Sequence, residues 1–220
     1  MGDKLRIEFR TAPSFLVAYS VSLSRGGMFV ETRRKLAFGS PVDLQLAIPS
    51  GGVVELAGKV TYARTTGEEG PPGLGVETPD AAEILADLVD RLSLEYGGVS
   101  VLLLAGDSQD RTSLTRQIRA IVSTADVVSA SDSKLAQAVL DDDIDLAILD
   151  ADFDLEASLE TARAAAEMPV PVPLVALSAS ERARERLASA GIRELTANPP
   201  AFSELQHAIV SALVRPRRVD

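Results

Sequence analysis

The hydrophobic residues change their period at Gly97-Gly98, and that change limits what the chain can fold into. Before it, through Val76, apolar and polar residues alternate, the period of strands with one buried face, and a helical stripe follows over Asp80–Glu95. After it, continuous apolar runs alternate with stripes spaced three and four residues apart, the pattern of buried strands and amphipathic helices. The 220 residues suffice for two domains of about 100 each. The expected division is residues 1–96, residues 99–215, and a solvated tail at 216–220.

In the first part, Leu5, Ile7 and Phe9 alternate with Arg6, Glu8 and Arg10 over Lys4–Thr11, predicting a half-buried strand. Pro13 and Ser14 are read as a break. A second strand is expected from Phe15, with Phe15, Val17, Tyr19, Val21 and Leu23 on one face. Gly26-Gly27 supply a turn, and Met28-Phe29-Val30 resumes the sheet. Val42, Leu44, Leu46 and Ile48 alternate next, and Pro49-Ser50-Gly51-Gly52 marks a hairpin. A long strand over Val53–Ala63 should face Val54, Leu56, Val60 and Tyr62 inward. Thr65–Pro72 reads as a loop and Gly73–Val76 as a closing strand. Six short strands predict an all-β, closed or nearly closed antiparallel barrel. A trailing helix follows over Asp80–Glu95, with Asp80 and Glu83 placed as a capping box.

The second part predicts strands at Val99–Ala105, Val127–Val128, Ile144–Leu149, Leu174–Leu177 and Leu195–Ala197. Helices are expected at Arg111–Val122, Ser133–Leu140, Leu155–Glu167, Glu181–Ser189 and Phe202–Val214. The last should bury Phe202, Leu205, Ile209 and Leu213. Five strand–helix units predict an α/β doubly wound, five-stranded parallel sheet.

Composition removes several function classes. There is no cysteine, so thiolate nucleophiles and cysteine zinc sites are excluded, and a single histidine, His207, leaves little room for a Ser-His-Asp triad. His207 lies off the apolar stripe of its helix and is expected to be exposed and inert. The net charge is −10, with 10 Lys and Arg against 13 Asp and Glu through residue 98, and 12 against 19 beyond it. Two acidic halves argue against nucleic-acid binding, which phosphate neutralisation dominates. No apolar run is long enough to span a bilayer and no signal peptide is evident, so a cytoplasmic protein is expected.

The turn Ser22-x-Ser24-x-x-Gly27, running into Met28-Phe29-Val30 and followed by Pro71–Val76, resembles the second signature of PilZ domains, of the delta-proteobacterial type. The resemblance covers about residues 4–95 and implies a barrel that binds cyclic di-GMP through an Arg-x-x-x-Arg arm and this turn. Arg6, Arg10, Ser22, Ser24, Arg25 and Gly27 are the corresponding candidates. Two departures disfavour the ligand. Ser22 stands where an Asp or Asn is usual, and Arg6 and Arg10 alternate with buried positions on the first strand, which only Met1-Gly2-Asp3 precede. Arg25, Arg33, Arg34 and Lys35 are the remaining anion contacts.

Residues 99–215 resemble the receiver domain of response regulators, here in a degenerate form. Asp-Leu-Ala-Ile-Leu-Asp150 resembles the strand that ends in the phosphoacceptor, Ser178 stands at the switch hydroxyl, and Asn198-Pro199 at the final Lys-Pro. Phosphoryl transfer to an aspartate also needs a divalent cation and a lysine to offset developing charge. The acidic pair falls on Ala105 and Gly106, and Asn198 is neutral. Magnesium is therefore disfavoured, and Asp107, Asp150 and Asp152 are weak candidates for holding a cation. Asp141-Asp142-Asp143 reads as a charged loop.

The expectation is a non-enzymatic bacterial signalling adaptor acting by protein–protein interaction in a motility, polarity or two-component-linked pathway, without a cofactor. No nucleophile–base pair or phosphate loop supports an enzyme. The resemblance implies docking, or homodimer formation, on the face built from Glu181–Ala190, Arg193–Ala197 and Phe202–Val214. The alternatives are a cyclic di-GMP effector acting through the Ser22–Gly27 turn, and a response regulator phosphorylated on Asp150.

Overall fold

A computed structural model describes residues 2–65, 71–215 and 217–219; most of the loop expected at Thr65–Pro72 lies outside them. The chain forms two units, Met1–Tyr96 with Val214–Asp220, and Gly97–Leu213.

In the first unit, β1 (Asp3–Glu8) places Leu5 and Ile7 in the core, and β3 (Pro41–Ile48) does the same with Val42, Leu44, Leu46 and Ile48. Both follow the alternation of their residues, because successive side chains of a strand point to opposite faces. Between them in sequence lies β2 (Gly27–Glu31), and after them β4 (Gly52–Arg64) and β5 (Gly73–Glu77). The turn into β4 forms as expected, with the Gly51 amide donating to the Ile48 carbonyl at 3.0 Å.

The expected all-β antiparallel barrel is corrected in four respects. First, Phe15 to Val21 is not a strand but most of a helix, α1 (Ala12–Val21). Thr11-Ala12-Pro13-Ser14 is a helix start: the Thr11 hydroxyl accepts from the Ser14 amide and the Ser14 hydroxyl from the Thr11 amide, both at 3.1 Å. Proline is welcome in a first turn, where its missing N–H costs nothing. Phe15 and Ala18 are buried while Leu16 and Tyr19 pack partly against the core, so apolar residues occupy several faces and mask the helical period. Phe15 meets Phe9 edge to face at 5.2 Å.

Second, β1 runs parallel to β3, and with a last strand β11 (Arg217–Val219) the strand order is linear, β11-β1-β3-β4-β5-β2, with no ladder among the described residues joining its two ends. Third, the tail is not simply solvated: β11 (Arg217–Val219) pairs antiparallel with β1, and Arg215 just before it bridges Glu31 at 2.7 Å. Fourth, Tyr62 points outward. A bulge between Val60 and Tyr62 slips the register against β5, so the inward alternation ends at Val60. The helix α2 (Ala81–Leu94) buries Ala81, Leu85 and Leu92, but Asp80 makes no side-chain cap.

The second unit holds a parallel sheet of β6 (Val99–Leu104), β7 (Ala125–Ala130), β8 (Leu146–Asp150), β9 (Leu174–Leu177) and β10 (Glu194–Thr196). The intervening helices are α3 (Ser108–Ile121), α4 (Ser133–Val139), α5 (Leu155–Glu167) and α6 (Glu181–Ser189), with α7 (Phe202–Val214) last. The spatial order β10-β9-β8-β6-β7 reverses beside β6, giving the doubly wound order of flavodoxin and receiver folds. Every residue of β8 is buried, which explains its unbroken apolar run. Asp107, Asp132, Asp154 and Ser180 cap α3 to α6 through their side chains, so part of the acidic charge is helix-start chemistry. Phe202, expected inside, is 48% exposed at the first residue of α7, while Leu205, Ile209 and Leu213 are buried. No helix among the described residues is long and apolar enough to cross a membrane.

All three tyrosines, Tyr19, Tyr62 and Tyr96, lie in the first unit, so tyrosine fluorescence follows its unfolding in the full chain. Thr11→Ala should destabilise that transition by about 1 kcal/mol through loss of the cap. Phe15→Ala should cost about 3–5 kcal/mol through the cavity it leaves. A Thr11→Ala protein as stable as the parent would contradict the helical start.

Candidate functional site

In a doubly wound sheet the crevice opens at the carboxyl ends of the strands, where the order reverses. Here that point lies between β6 and β8, whose ends are in register at Leu104 and Leu149. The residues just beyond, Ala105–Asp107 and Asp150–Phe153, therefore face one another by topology.

Asp150, the last residue of β8, is 4% exposed. Its Oδ1 accepts from the Asn198 side-chain amide at 2.9 Å and from the Asp152 backbone amide at 3.2 Å. Asn198 reaches it from beyond β10, preceding a cis bond to Pro199. Asp152 is exposed and turns the other way: its carboxylate accepts from the Ser178 hydroxyl at 2.6 Å and from the Ala179 amide at 2.8 Å. Asp107 caps α3 by accepting from the Gln109 amide at 2.7 Å and the Asp110 amide at 3.2 Å. Asp107 thus serves the start of α3, while Asp150 and Asp152 belong to one linked network. Among the described residues, no group of three His, Cys, Asp or Glu side chains is placed to hold a metal ion.

Two residues that sequence reasoning passed over fill the space beside them. The Phe153 ring lies over Gly106, where an added Cβ would come within 2.0 Å of its Cζ. A side chain at 106, acidic or otherwise, and this ring placement exclude each other. Arg111 folds back so that its guanidinium donates to the carbonyls of Ala105, at 2.8 Å, and Gly106. It puts a fixed positive charge on the end of β6. An arginine four residues after an Asp cap carries no sequence signal for this, since helix faces commonly bear arginines.

The two carboxylates are tuned in opposite directions. Burial pushes the Asp150 carboxyl up, opposed by the Asp152 and Phe153 amides and assisted by the charges of Asp152 and Asp110. Burial also acts on Asp152, but hydrogen bonds from Ser178, Ala179, Asn198 and Ser180 outweigh it and hold that carboxyl below its ordinary value.

In the first unit the Ser22–Gly27 segment is the corner between α1 and β2. Ser22 ends α1, its amide donating to the Ala18 carbonyl at 2.9 Å. Leu23–Arg25 form one 3-10 turn, closed by Gly26 at φ 85°. The Ser24 hydroxyl donates to the Ser20 carbonyl at 3.3 Å, and both Ser24 and Arg25 are exposed. Gly27 lies flush on β5, where an added Cβ would fall 2.9 Å from the Val76 carbonyl oxygen. Arg6 sits mid-strand, opposite Gln45 on one side and Val219 on the other, and Arg10 follows the end of β1. The structure therefore places Arg6 in a three-stranded ladder, not on an arm.

The basic cluster is spread over a connection. Arg34 donates to the Lys4 carbonyl at 2.8 Å, while Arg33 and Lys35 are exposed. Arg64 stacks over the Phe29 ring at 4.7 Å, a cation–π contact between strands that sequence spacing could not announce. His207 is exposed on α7, as its place off the stripe implies.

Residues 3–94 match the family model of the PilZ domain. A search of the curated proteins finds no match. Solved structures similar to part of the chain include the signal receiver domain of a DNA-binding response regulator from Colwellia psychrerythraea 34H. That likeness has 17% identity, covers 51% of this chain and 96% of that one, and has a TM-score of 0.46. The receiver domain of a sensor histidine kinase from Pseudomonas aeruginosa PAO1 gives 20%, 53%, 98% and 0.46 for the same quantities. A pilus assembly-related protein from Burkholderia pseudomallei K96243 gives 17%, 56%, 96% and 0.47. The receiver-like order of the second unit stands on its own strand ladders.

Asp150→Asn should raise stability at pH 7, because it keeps an acceptor for the Asn198 amide and removes a buried charge. A carboxyl raised in the folded state binds its proton more tightly there than when unfolded. The cost of the charge is therefore full above the folded pKa and disappears as pH falls through it. The advantage of Asp150→Asn in urea midpoint should shrink over that range, and an advantage independent of pH would contradict the assignment. Gly27→Ala should cost about 1–3 kcal/mol in the tyrosine-monitored transition, through its clash with β5.

Proposed function

We propose that this chain, a PilZ domain joined to a receiver-like unit, is a non-enzymatic signalling adaptor that works by binding other proteins. The observation that carries the reading lies in the second unit, where the polar groups at the ligand-type positions are engaged within the chain; in the first unit the candidate residues belong to a paired strand and a corner rather than to an arm. Arg6 is laddered between two strands, and Ser24 turns back onto Ser20. Asp150 receives Asn198, Asp152 receives Ser178, and Phe153 covers Gly106. A cyclic dinucleotide needs free cationic forks, and an aspartyl phosphate needs a cation and a lysine. Neither set is assembled at these positions.

The surface best suited to partners is the α6–β10–α7 face of the second unit. It carries a concavity of about 570 Å³ lined by Arg184, Glu194, Thr196, Ser203, Glu204 and His207 among others. The mix of both charges with hydroxyls suits a protein surface better than an apolar small molecule. A pathway of motility, polarity or two-component type, and a cytoplasmic setting, accord with the domain pair.

Calorimetric titration of the full chain with cyclic di-GMP should give no saturable heat at micromolar ligand. Acetyl phosphate with magnesium should add no phosphoryl mass to the peptide that carries Asp150. Tight dinucleotide binding abolished by Ser24→Ala or Arg25→Ala would replace this reading with a small-molecule effector. A phosphoryl group found on Asp150 would replace it with a working response regulator. A photo-crosslinking residue at Ser203 or Glu204 should capture a discrete partner in cells, whereas one at Asp126 on β7 should not.

A further inference from the structure

A phosphoryl group on Asp150 would be a dense anion at the mouth of the crevice, and it would recruit the hydrogen-bond donors around it. The structure already aims two such donors at one point. The Ser178 hydroxyl, at 2.6 Å, and the Ala179 amide, at 2.8 Å, both end on the Asp152 carboxylate. A hydroxyl has one proton to give, so while Ser178 donates to Asp152 it can donate to nothing else. The Asn198 amide, the remaining side-chain donor at Asp150, donates to Asp150 itself at 2.9 Å.

We infer that Asp152 is a resident stand-in for a phosphoryl group, holding Ser178 and Ala179 in the inward position that phosphate on Asp150 would otherwise be needed to impose. A carboxylate offers what the donors require, two charged acceptor oxygens, and the resulting charge-assisted bonds are the stronger kind. A second anion arriving on Asp150 would meet Asp152 as a like charge two residues away, in a crevice with no metal-holding acidic group among the described residues.

The consequence extends to the docking face. The Ser178 amide donates to the Thr196 carbonyl of β10 at 3.0 Å, and its own carbonyl accepts from the Arg184 guanidinium of α6 at 2.9 Å. The Ser180 amide donates to the Ser178 hydroxyl at 3.1 Å, and the Ser180 hydroxyl caps α6 by accepting from the Ala183 amide. Ser178 is thus tied to the start of α6 and to β10, and Arg184 and Thr196 also line the concavity. Asp152 acts on that surface as a positioning residue, through Ser178, and makes its arrangement constitutive. This last step rests on the reading of the α6–β10–α7 face as the docking surface.

The test needs no partner, so its outcome is separate from that of the docking reading. Amide hydrogen exchange and amide chemical shifts are measured on the full chain, for the parent, Asp152→Ala, Asp152→Asn and Ser178→Ala. Asp152 is exposed, and protection of the β6 and β8 amides reports that the fold is kept. Both Asp152 variants should speed Ala179 exchange about tenfold, the scale of one charge-assisted hydrogen bond. They should also move shifts across 181–197 and 202–214. Ser178→Ala should move those shifts while leaving Ala179 protected, because the Ala179–Asp152 bond remains. Beryllofluoride with magnesium, as a phosphoryl mimic, should leave the parent spectrum unchanged. Parent-like Ala179 exchange in Asp152→Asn would overturn the inference, as would a beryllofluoride-induced shift of the same face in the parent protein.

Discussion

The second unit depends on a strand that is buried on both faces and ends in a carboxylate. β8 has no solvent-facing side, so its apolar run stops abruptly at Asp150, at the edge of the crevice. A buried charge there must be partnered, neutralised by a cation, or made neutral. This chain uses partners: an amide from Asn198, a backbone N–H from Asp152, and a carboxyl shifted toward its protonated form. The Arg111 guanidinium on the β6 carbonyls and the Phe153 ring on Gly106 belong to the same settlement.

The first unit answers a different constraint, the close approach of a turn to the strand beneath it. Gly27 allows β2 to lie against β5, and Gly26, at positive φ, lets the 3-10 turn reverse into it. The glycines that resemble part of a ligand turn are therefore required by the corner itself.

The second unit was almost entirely legible in the sequence, because runs such as Val99–Ala105 and Leu174–Leu177 and the stripes of α5, α6 and α7 each have one period. The first unit was less so. Phe15, Val17, Tyr19, Val21 and Leu23 alternate, yet the first four lie in a helix and Leu23 in the 3-10 turn after it, and the true signal was the Thr11–Ser14 cap. The bulge that turns Tyr62 outward leaves no trace in composition. β11 could not be read from Arg217-Arg218-Val219, because three residues have no period and their role comes from the edge they cover. At the candidate site, the positions of Asp150, Asp152, Ser178 and Asn198 were readable, but their pairing was not. Which carboxylate a hydroxyl chooses is settled in space, over 26 residues of sequence from Asp152 to Ser178.

The pairing of β11 with β1 bears on how the chain is made. The first unit is discontinuous, with the whole of Gly97–Leu213 inserted between α2 and its last strand. On the ribosome β1 emerges about 200 residues before β11. One edge of β1 must therefore wait, unpaired, while the parallel sheet is synthesised. An unpaired edge is a template for the wrong strand as readily as for the right one. Lys4, Arg6 and Glu8 alternate along that strand, and charged side chains are one of the devices that discourage wrong pairing at an open edge.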